Sequence, residues 1–212
     1  MKNTRTQSAF WLQFGVFLAI WLVLIALNRL PFTIEWATIR LLPSVVGFYA
    51  LIYVVFVTWA WRWRIFRRWL VVVPDLQGTW AGDLRSTWSG ASNESEPDLI
   101  RVYLVIRQTL HKTHVRIFTA ESRSSSESAS LNVNEEQGET VLVYHFINLP
   151  VAQVRHRSEI HFGTARLYLG GAGEPSRSLE GEYWTDRKTT GHMSLHFAGR
   201  HLMERFPSGN DA

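Results

Sequence analysis

Residues 41–69 read LLPSVVGFYALIYVVFVTWAWRWRIFRRW, and the first 21 of them carry no charge. At about 1.5 Å of rise per residue, a helix of this length crosses a hydrocarbon core of about 30 Å. A buried helix of a soluble domain is disfavoured, because the run is too long and is apolar on every side. The stretch therefore predicts a transmembrane helix over residues 41–61.

The end of this run is a basic and aromatic junction. Tryptophans at 59, 61, 63 and 69 alternate with four arginines, which are Arg62, Arg64, Arg67 and Arg68. Guanidinium groups favour the cytoplasmic leaflet, because its anionic lipids attract them and their translocation is disfavoured. Indoles suit the headgroup layer, because they are apolar with one polar edge. The junction thus predicts that everything after it lies in the cytoplasm.

A second apolar run precedes the first one along the chain. Residues 9–27 are interrupted only by Gln13, and they lack the short core and small-residue ending of a cleaved signal peptide. We interpret residues 9–28 as a retained transmembrane helix. The connection from Asn28 to Arg40 is long enough only for a turn on the far side, so the N-terminus is also predicted to be cytoplasmic.

Charge divides the chain at the same place. Residues 1–74 carry a net charge of +7 and residues 75–212 carry −3. The basic isoelectric point therefore reflects a membrane surface, and we predict no binding of DNA or RNA polymers. The chain has no cysteine, which excludes disulfides, thiolate catalysis and cysteine-ligated zinc.

After Pro74 the hydrophobic pattern changes to short segments of period two, separated by turn residues. The connections include SGASNESEP, HK, NEEQG, NLP and GGAGEPS. The segments are short and evenly spaced, so we predict an eight-stranded up-and-down antiparallel barrel, similar to a minimal lipocalin, with a β-sandwich as the alternative. The candidate strands are 77–86, 98–109, 112–121, 124–133, 139–148, 158–169, 177–187 and 190–200.

The predicted organisation has a transmembrane region at 1–74, a barrel at 75–206 and a frayed tail at 207–212. Alternation along the strands sends one side chain in two into the barrel. Up-and-down order then gives the barrel two different ends. Apolar inward residues gather at the end reached from the membrane helices, and Trp80, Ile106, Leu179 and Phe197 are among them.

Polar inward residues gather at the opposite end, which we call the mouth. A barrel of eight strands holds packed side chains or one small ligand. A buried guanidinium needs an anionic partner, so Arg187 favours a ligand with phosphates. An internal ion pair with Glu121 or Glu159 is the alternative. The candidate ligand-binding residues are Ser86, Thr119, Ser122, Ser124, Tyr144, Tyr183, Thr185, Arg187 and Thr189.

The remaining motifs indicate structural roles and do not indicate catalysis or metal binding. Gly78-Thr79-Trp80 is similar to the G-x-W that opens lipocalin-type barrels, where the indole closes one end and a late arginine packs on it. We assign that arginine to Arg200. The pairs His111/His114 and His192/His196 have a spacing open to metal binding, but solvated histidines are the favoured interpretation. No nucleophile with a base, no acid pair and no phosphate-binding glycine loop is present, so we predict no enzyme and no cofactor.

Several segments together carry a family resemblance. After two transmembrane helices come PDLQGTWAGDLRS, ESRSSSES, HFGTARLYL and LEGEYWTDRKTTGHMSL, of which GEYWTDRKTTG is the most specific. The chain resembles the two-transmembrane, β-strand-rich effectors of bacterial CBASS antiphage systems, known as the SMODS-associating 2TM, β-strand-rich effector domain family. The likeness extends over nearly the whole chain.

The resemblance implies a receptor for a cyclic dinucleotide or related cyclic oligonucleotide, made by a nucleotidyltransferase with which no direct contact is implied. It implies a multi-pass protein of the bacterial inner membrane. Ligand binding would drive self-association and disruption of the lipid bilayer, which kills the infected cell. Two other functions stay open from the residues alone. One is a tethered barrel that binds a lipid or another small hydrophobic molecule, and the other is a constitutive scaffold with a filled barrel.

Overall fold

The computed structural model describes residues 2–67, 70–87, 98–134, 136–170 and 177–207. Arg68 and Trp69 of the predicted junction lie outside the described residues, as do the loop at 88–97, Glu135, residues 171–176 and residues 208–212. The chain divides into two compact units, Met1–Val72 and Val73–Ala212.

The first unit is helical. Its elements are α1 (Lys2–Leu27), the single turn α2 (Trp36–Ile39) and α3 (Leu42–Thr58), followed by two 3₁₀ turns, Ala60–Arg62 and Arg64–Phe66. Phe10–Leu27 and Trp36–Thr58 are long and apolar enough to cross a membrane. Within this unit the indole Nε1 of Trp21 donates to the carbonyl of Thr38 at 3.0 Å, so the α2 turn is tied to α1.

The helix bounds differ from the expected ones. The first helix begins at Lys2, well before residue 9, and the second ends at Thr58 instead of residue 61. Arg62 curls back and donates to the Thr58 carbonyl at 2.8 Å, which satisfies one of the free carbonyls at that helix end. The basic junction therefore continues as 3₁₀ turns and is not part of the helix.

The second unit is the predicted barrel. Eight antiparallel strands close in chain order, β1 to β8, which confirms the up-and-down topology over the sandwich. The strands are β1 (Gly78–Ser86), β2 (Asp98–Gln108), β3 (Thr113–Phe118), β4 (Ser122–Asn134), β5 (Glu139–Pro150), β6 (His161–Gly170), β7 (Ser178–Thr185) and β8 (Thr190–Gly199).

The strand bounds depart by three residues in two places: β3 ends at Phe118 instead of residue 121, and β6 begins late. The expected sixth strand began at Ser158, whereas β6 begins at His161. The preceding residues form a loop with a 3₁₀ turn at Ala152–Val154. This loop stands at the mouth, where Arg157 pairs with Glu121 at 2.6 Å.

Strand alternation assigns the core correctly. In β7 the inward residues Leu179, Gly181, Tyr183 and Thr185 are buried, and the residues between them are exposed. The same holds for Met193 and Leu195 against His192 and His196 in β8. The core is one continuous apolar cluster that runs along the inside of the barrel.

The end of the barrel opposite the mouth is closed by Trp80. Its side chain is fully buried, and its Nε1 donates to the Leu76 carbonyl at 3.0 Å. Its ring meets that of Phe197 edge to face at 5.2 Å. Gly78 has φ +141°, and a Cβ there would clash with Phe197 and the Gly199 carbonyl, so the strand can begin here only with glycine.

The arginine on this indole is not the predicted one. Arg177 lies over Trp80, with 5.6 Å from Cζ to the ring centroid, and over Phe197 at 4.4 Å. Arg200 lies over Phe197 at 5.7 Å and pairs with the buried carboxylate of Asp75 at 2.6 Å. Arg200 belongs to the closed end, but the assignment to the indole was wrong, because Arg177, the residue just before β7, lies over Trp80.

The segment after β8 is not frayed up to residue 207. Thr79 Oγ1 donates to the His201 carbonyl and accepts from the Met203 amide. Farther along, Phe206 meets the outward Tyr103 edge to face at 5.5 Å. The segment therefore packs against the outer face of β1 and β2, which brings Phe206 to the rim of the mouth.

Candidate functional site

The mouth holds a cavity of about 480 Å³. Seven of the nine predicted residues line it, which are Ser86, Thr119, Ser122, Ser124, Tyr183, Arg187 and Thr189. They come from β1, β4, β7 and two turns, the β3–β4 turn and the β7–β8 turn. They share one cavity because, in an up-and-down barrel, the odd-numbered strands end and the even-numbered strands begin at the same rim.

The other two predicted residues do not line the cavity. Thr185 is buried beside it, and its hydroxyl lies 2.6 Å from that of Thr189. Tyr144 lies one inward step deeper on β5 than Phe146, which does line the wall. The Tyr144 hydroxyl has no hydrogen-bond partner among the described residues, and burial raises the pKa of this phenol. Tyr144 therefore belongs to the floor beneath the cavity.

Hydroxyl groups form the polar part of the wall. Tyr183 donates to Ser86 Oγ at 2.7 Å, and the Thr119 and Ser122 hydroxyls are 3.0 Å apart. Burial raises the pKa of Tyr183, partly opposed by Ser86 and Arg187, so this group stays a neutral phenol. Each hydroxyl both donates and accepts, so this wall can bind phosphate oxygens and base edges alike.

Arg187 is one of three arginines that line the cavity; the other two, Arg101 and Arg157, pair with Asp83 and Glu121. Its Nη1 donates to Ser158 Oγ at 3.3 Å, a long bond that a stronger acceptor can replace. The sequence offered Glu121 or Glu159 as an internal partner, and the Glu121 carboxylate is bound by Arg157. Glu121 thus already has a cationic partner, Glu159 is exposed, and the guanidinium of Arg187 lines the wall of the cavity.

Several lining residues were missed from sequence. Ser124 donates to Asn148 Oδ1 at 2.8 Å, and both side chains are buried. Asn148 follows Tyr144 and Phe146 on the inward side of β5, so its alternation was a usable signal. Phe206 arrives from the segment after the last strand, and no periodicity could have placed it there.

His161 is another polar lining residue that was missed. It begins β6, is buried, and its Nδ1 lies 2.9 Å from the Glu159 carbonyl oxygen. Because a carbonyl oxygen can only accept, the neutral ring carries its proton on Nδ1, and Nε2 is left as an acceptor. Burial lowers the pKa of His161, and nearby Arg187 lowers it further, against opposing effects of the Glu159 carbonyl and Asp186. The neutral imidazole is therefore favoured in the folded barrel.

This shift predicts a pH dependence of stability. Below the ordinary histidine pKa of about 6.5, the unfolded chain binds a proton at residue 161 that the folded chain resists. The free energy of unfolding should therefore fall as pH drops from about 6.5 toward the lowered pKa. His161→Gln should flatten that part of the curve in urea unfolding at several pH values, whereas His192→Gln, an exposed control, should not. A slope that is the same in all three proteins would contradict the prediction.

The cavity is thus a polar, cationic rim above an apolar wall. The apolar wall includes Leu84, Ile100, Ile117, Phe146 and Met193. Such a site suits a ligand with both anionic groups and flat apolar faces. Comparison with known proteins shows the family to which the chain belongs.

Residues 71–196 match the family model described as Cap15, cyclic dinucleotide receptor domain. The chain belongs to this family. It is also 30% identical over 135 residues to the CD-NTase-associated protein 15 of Staphylococcus schleiferi. That alignment covers 64% of this chain and 66% of the relative, so the chain spans just under two thirds of the relative it matches. The family match includes β1–β7 and most of β8, and so most of the lining of the cavity.

Proposed function

We propose that this protein is a membrane-bound receptor that binds a cyclic dinucleotide in the mouth cavity and then self-associates. The observation that carries the proposal is the 480 Å³ cavity of a cyclic dinucleotide receptor domain, with Arg187 and a ring of hydroxyls at its rim. The resemblance to CBASS effectors extends the proposal to bilayer disruption and death of the infected cell.

The chemistry of the ligand fits that of the cavity. A cyclic dinucleotide has two phosphates and two base faces. Stacking contributes about 1–3 kcal/mol per base, and a hydrogen bond to a charged group about 1.5–3 kcal/mol. Two stacks and one or two phosphate contacts, less the cost of association, are enough for micromolar affinity.

The test is calorimetric titration of the full-length protein in detergent with a panel of cyclic dinucleotides. Linear dinucleotides and mononucleotides are the matched controls. We expect saturable binding of at least one cyclic compound, at least tenfold tighter than its linear counterpart. Equal affinity for cyclic and linear compounds, or none for any, would refute the proposal. Random duplex DNA should not bind in a salt-dependent way, given the negative net charge of the barrel.

A second candidate function is binding of a small hydrophobic molecule. The observation in its favour is the apolar wall, with Ile117, Phe146 and Met193 beneath the polar rim. A fluorescent fatty acid distinguishes the two. If it binds more tightly than every cyclic dinucleotide and is not displaced by them, the hydrophobic ligand is favoured.

We also propose the orientation. The two apolar helices cross the inner membrane as a hairpin, with both termini and the barrel in the cytoplasm and residues 28–40 outside. The support is the arginine group after α3, which favours the cytoplasmic leaflet. A reporter that is active only in the periplasm, fused after Ala212, should be inactive. Its activity would reverse the orientation and remove access to a cytosolic ligand.

A further inference from the structure

Among the described strands, the longest stretch that is paired on a single side lies in β4; a shorter one, residues 98–102 of β2, contains two charged residues. Strand β3 has six residues and β4 has thirteen, and β3 pairs only with Arg123–Ser125 of β4. The pairing ends at a bulge, where Ser126 Oγ replaces a carbonyl and accepts from the Val115 amide at 2.9 Å. Beyond it, Ser128–Asn134 pair with β5 and with no other strand of the described chain.

A strand paired on one side directs every second residue's N–H and C=O to the open side. Seven residues therefore leave about three donors and three acceptors along this edge. Natural sheets protect such edges with lysine, proline, inward charges or very short strands. The sequence SASLNVN from 128 to 134 has no lysine, no proline and no charge; a bulge, which is another protective device, lies just before it at Ser126/Ser128.

We infer that this edge of β4 is the surface through which the barrels of two copies of the chain pair. Two β4 edges would meet antiparallel about a two-fold axis and continue the sheet from one barrel into the other. The inference rests on the proposed self-association and gives it a location. It concerns the barrel alone and makes no claim about contacts between the membrane helices.

A second copy fits this edge better than an unrelated strand. In an isologous contact the two strands are identical, so their lengths and their alternation of donors and acceptors match. Identical charged strands would repel, but residues 128–134 carry no charge. The side chains of Ala129, Leu131 and Val133 are only half-buried, and a neighbouring strand would cover them.

The register between the two β4 strands is fixed if residues 128–134 of the two copies overlap completely. If Leu131 lies on the two-fold axis, all seven residues are paired, and Ser130 of one copy stands opposite Asn132 of the other. Directly opposed Cβ atoms are about 4.5–5.5 Å apart, close to the range of a disulfide. The chain has no cysteine of its own, so introduced cysteines report this register without background.

The first experiment mixes full-length Ser130→Cys and Asn132→Cys proteins in membranes and oxidises them mildly, with and without the cyclic dinucleotide that binds best. We expect a ligand-dependent crosslinked dimer. The control mixes Glu180→Cys with Glu182→Cys, whose side chains point outward from β7, a strand paired on both sides. Crosslinking no stronger than in this control would overturn the inference.

The second experiment adds charge to the edge. Ser130→Lys with Asn132→Lys places two pairs of like charges opposite each other, which we expect to weaken self-association by about tenfold. Both side chains are exposed, so the barrel should fold and bind ligand unchanged. The matched control is Ser194→Lys with His196→Lys on β8, a strand paired on both sides. Sedimentation in detergent at saturating ligand measures the oligomer.

The outcomes separate this inference from the receptor function. If the wild type binds no cyclic dinucleotide, the proposed function fails. If the wild type binds ligand and stays monomeric, or if the lysine pair assembles as well as its control, the β4 edge is wrong and the receptor function stands. Crosslinking of Ser130→Cys to an unrelated protein, with no dimer, would assign the edge to a different partner.

Discussion

Replacement of Trp80 by alanine is expected to lower the free energy of unfolding of the barrel by about 3–5 kcal/mol. The side chain is fully buried at the closed end, and the change leaves a cavity among the ends of several strands. It also leaves the Leu76 carbonyl without its hydrogen bond and removes the ring beneath Arg177. Urea unfolding of the full-length protein, followed by near-ultraviolet circular dichroism, measures the loss.

The matched control is Trp184→Ala. Trp184 points outward from β7 and is 47% exposed, so its removal should cost less than about 1 kcal/mol. The same indole is thus removed from the inside and from the outside of one barrel. Equal losses for the two variants would show that Trp80 does not close the barrel. A loss confined to Trp80→Ala would support its position as the plug.

Arg187→Ala should weaken binding of the cyclic dinucleotide by a factor of about 10 to 150, which corresponds to one lost charge-assisted hydrogen bond of about 1.5–3 kcal/mol. The barrel should stay folded, because Arg187 is only half-buried, Glu121 keeps its pair with Arg157, and Glu159 is exposed, so the change strands neither carboxylate in the interior. Calorimetric titration gives the affinity and thermal unfolding gives the stability of the same sample.

Arg166→Ala is the control for Arg187→Ala. Arg166 points outward from β6 over Tyr168, away from the cavity, so its removal should leave the affinity unchanged. If Arg187→Ala bound ligand normally and lowered the melting temperature by many degrees, Arg187 would be a structural group of the barrel. Stranding a buried carboxylate would have that effect, at a cost of several kcal/mol.

The barrel was predictable because the patterns that specify it, strand alternation and short connections, lie within short segments of the sequence. Alternation in β7 and β8 gave the correct inward residues, since each strand buries one face only. The short connections gave the order of the strands, because consecutive antiparallel strands pair when little chain separates them. Strand order and alternation together were enough to gather Ser86, Tyr183 and Arg187 at one rim.

Apart from the bounds of helices and strands, the errors concern the position of a side chain relative to segments that are distant in sequence. Arg200 was assigned to the indole as a late arginine of the barrel, but Arg177 lies over it from the position just before β7. Tyr144 has the inward parity of the site, yet its depth along β5 puts it in the floor. Alternation along a strand shows whether a side chain points inward, whereas its distance from the mouth depends on the register between neighbouring strands.

The sequence alone determined that this chain has two apolar helices, a basic junction and an eight-stranded barrel with one apolar and one polar end. These follow from composition and periodicity, which any segment carries by itself. The tertiary structure alone decided that Phe206 and His161 reach the cavity, that Glu121 pairs with Arg157, and that β3 stops short of Ser128–Asn134. Each of these depends on the register between strands and on loop paths, which long-range packing fixes and local pattern does not encode.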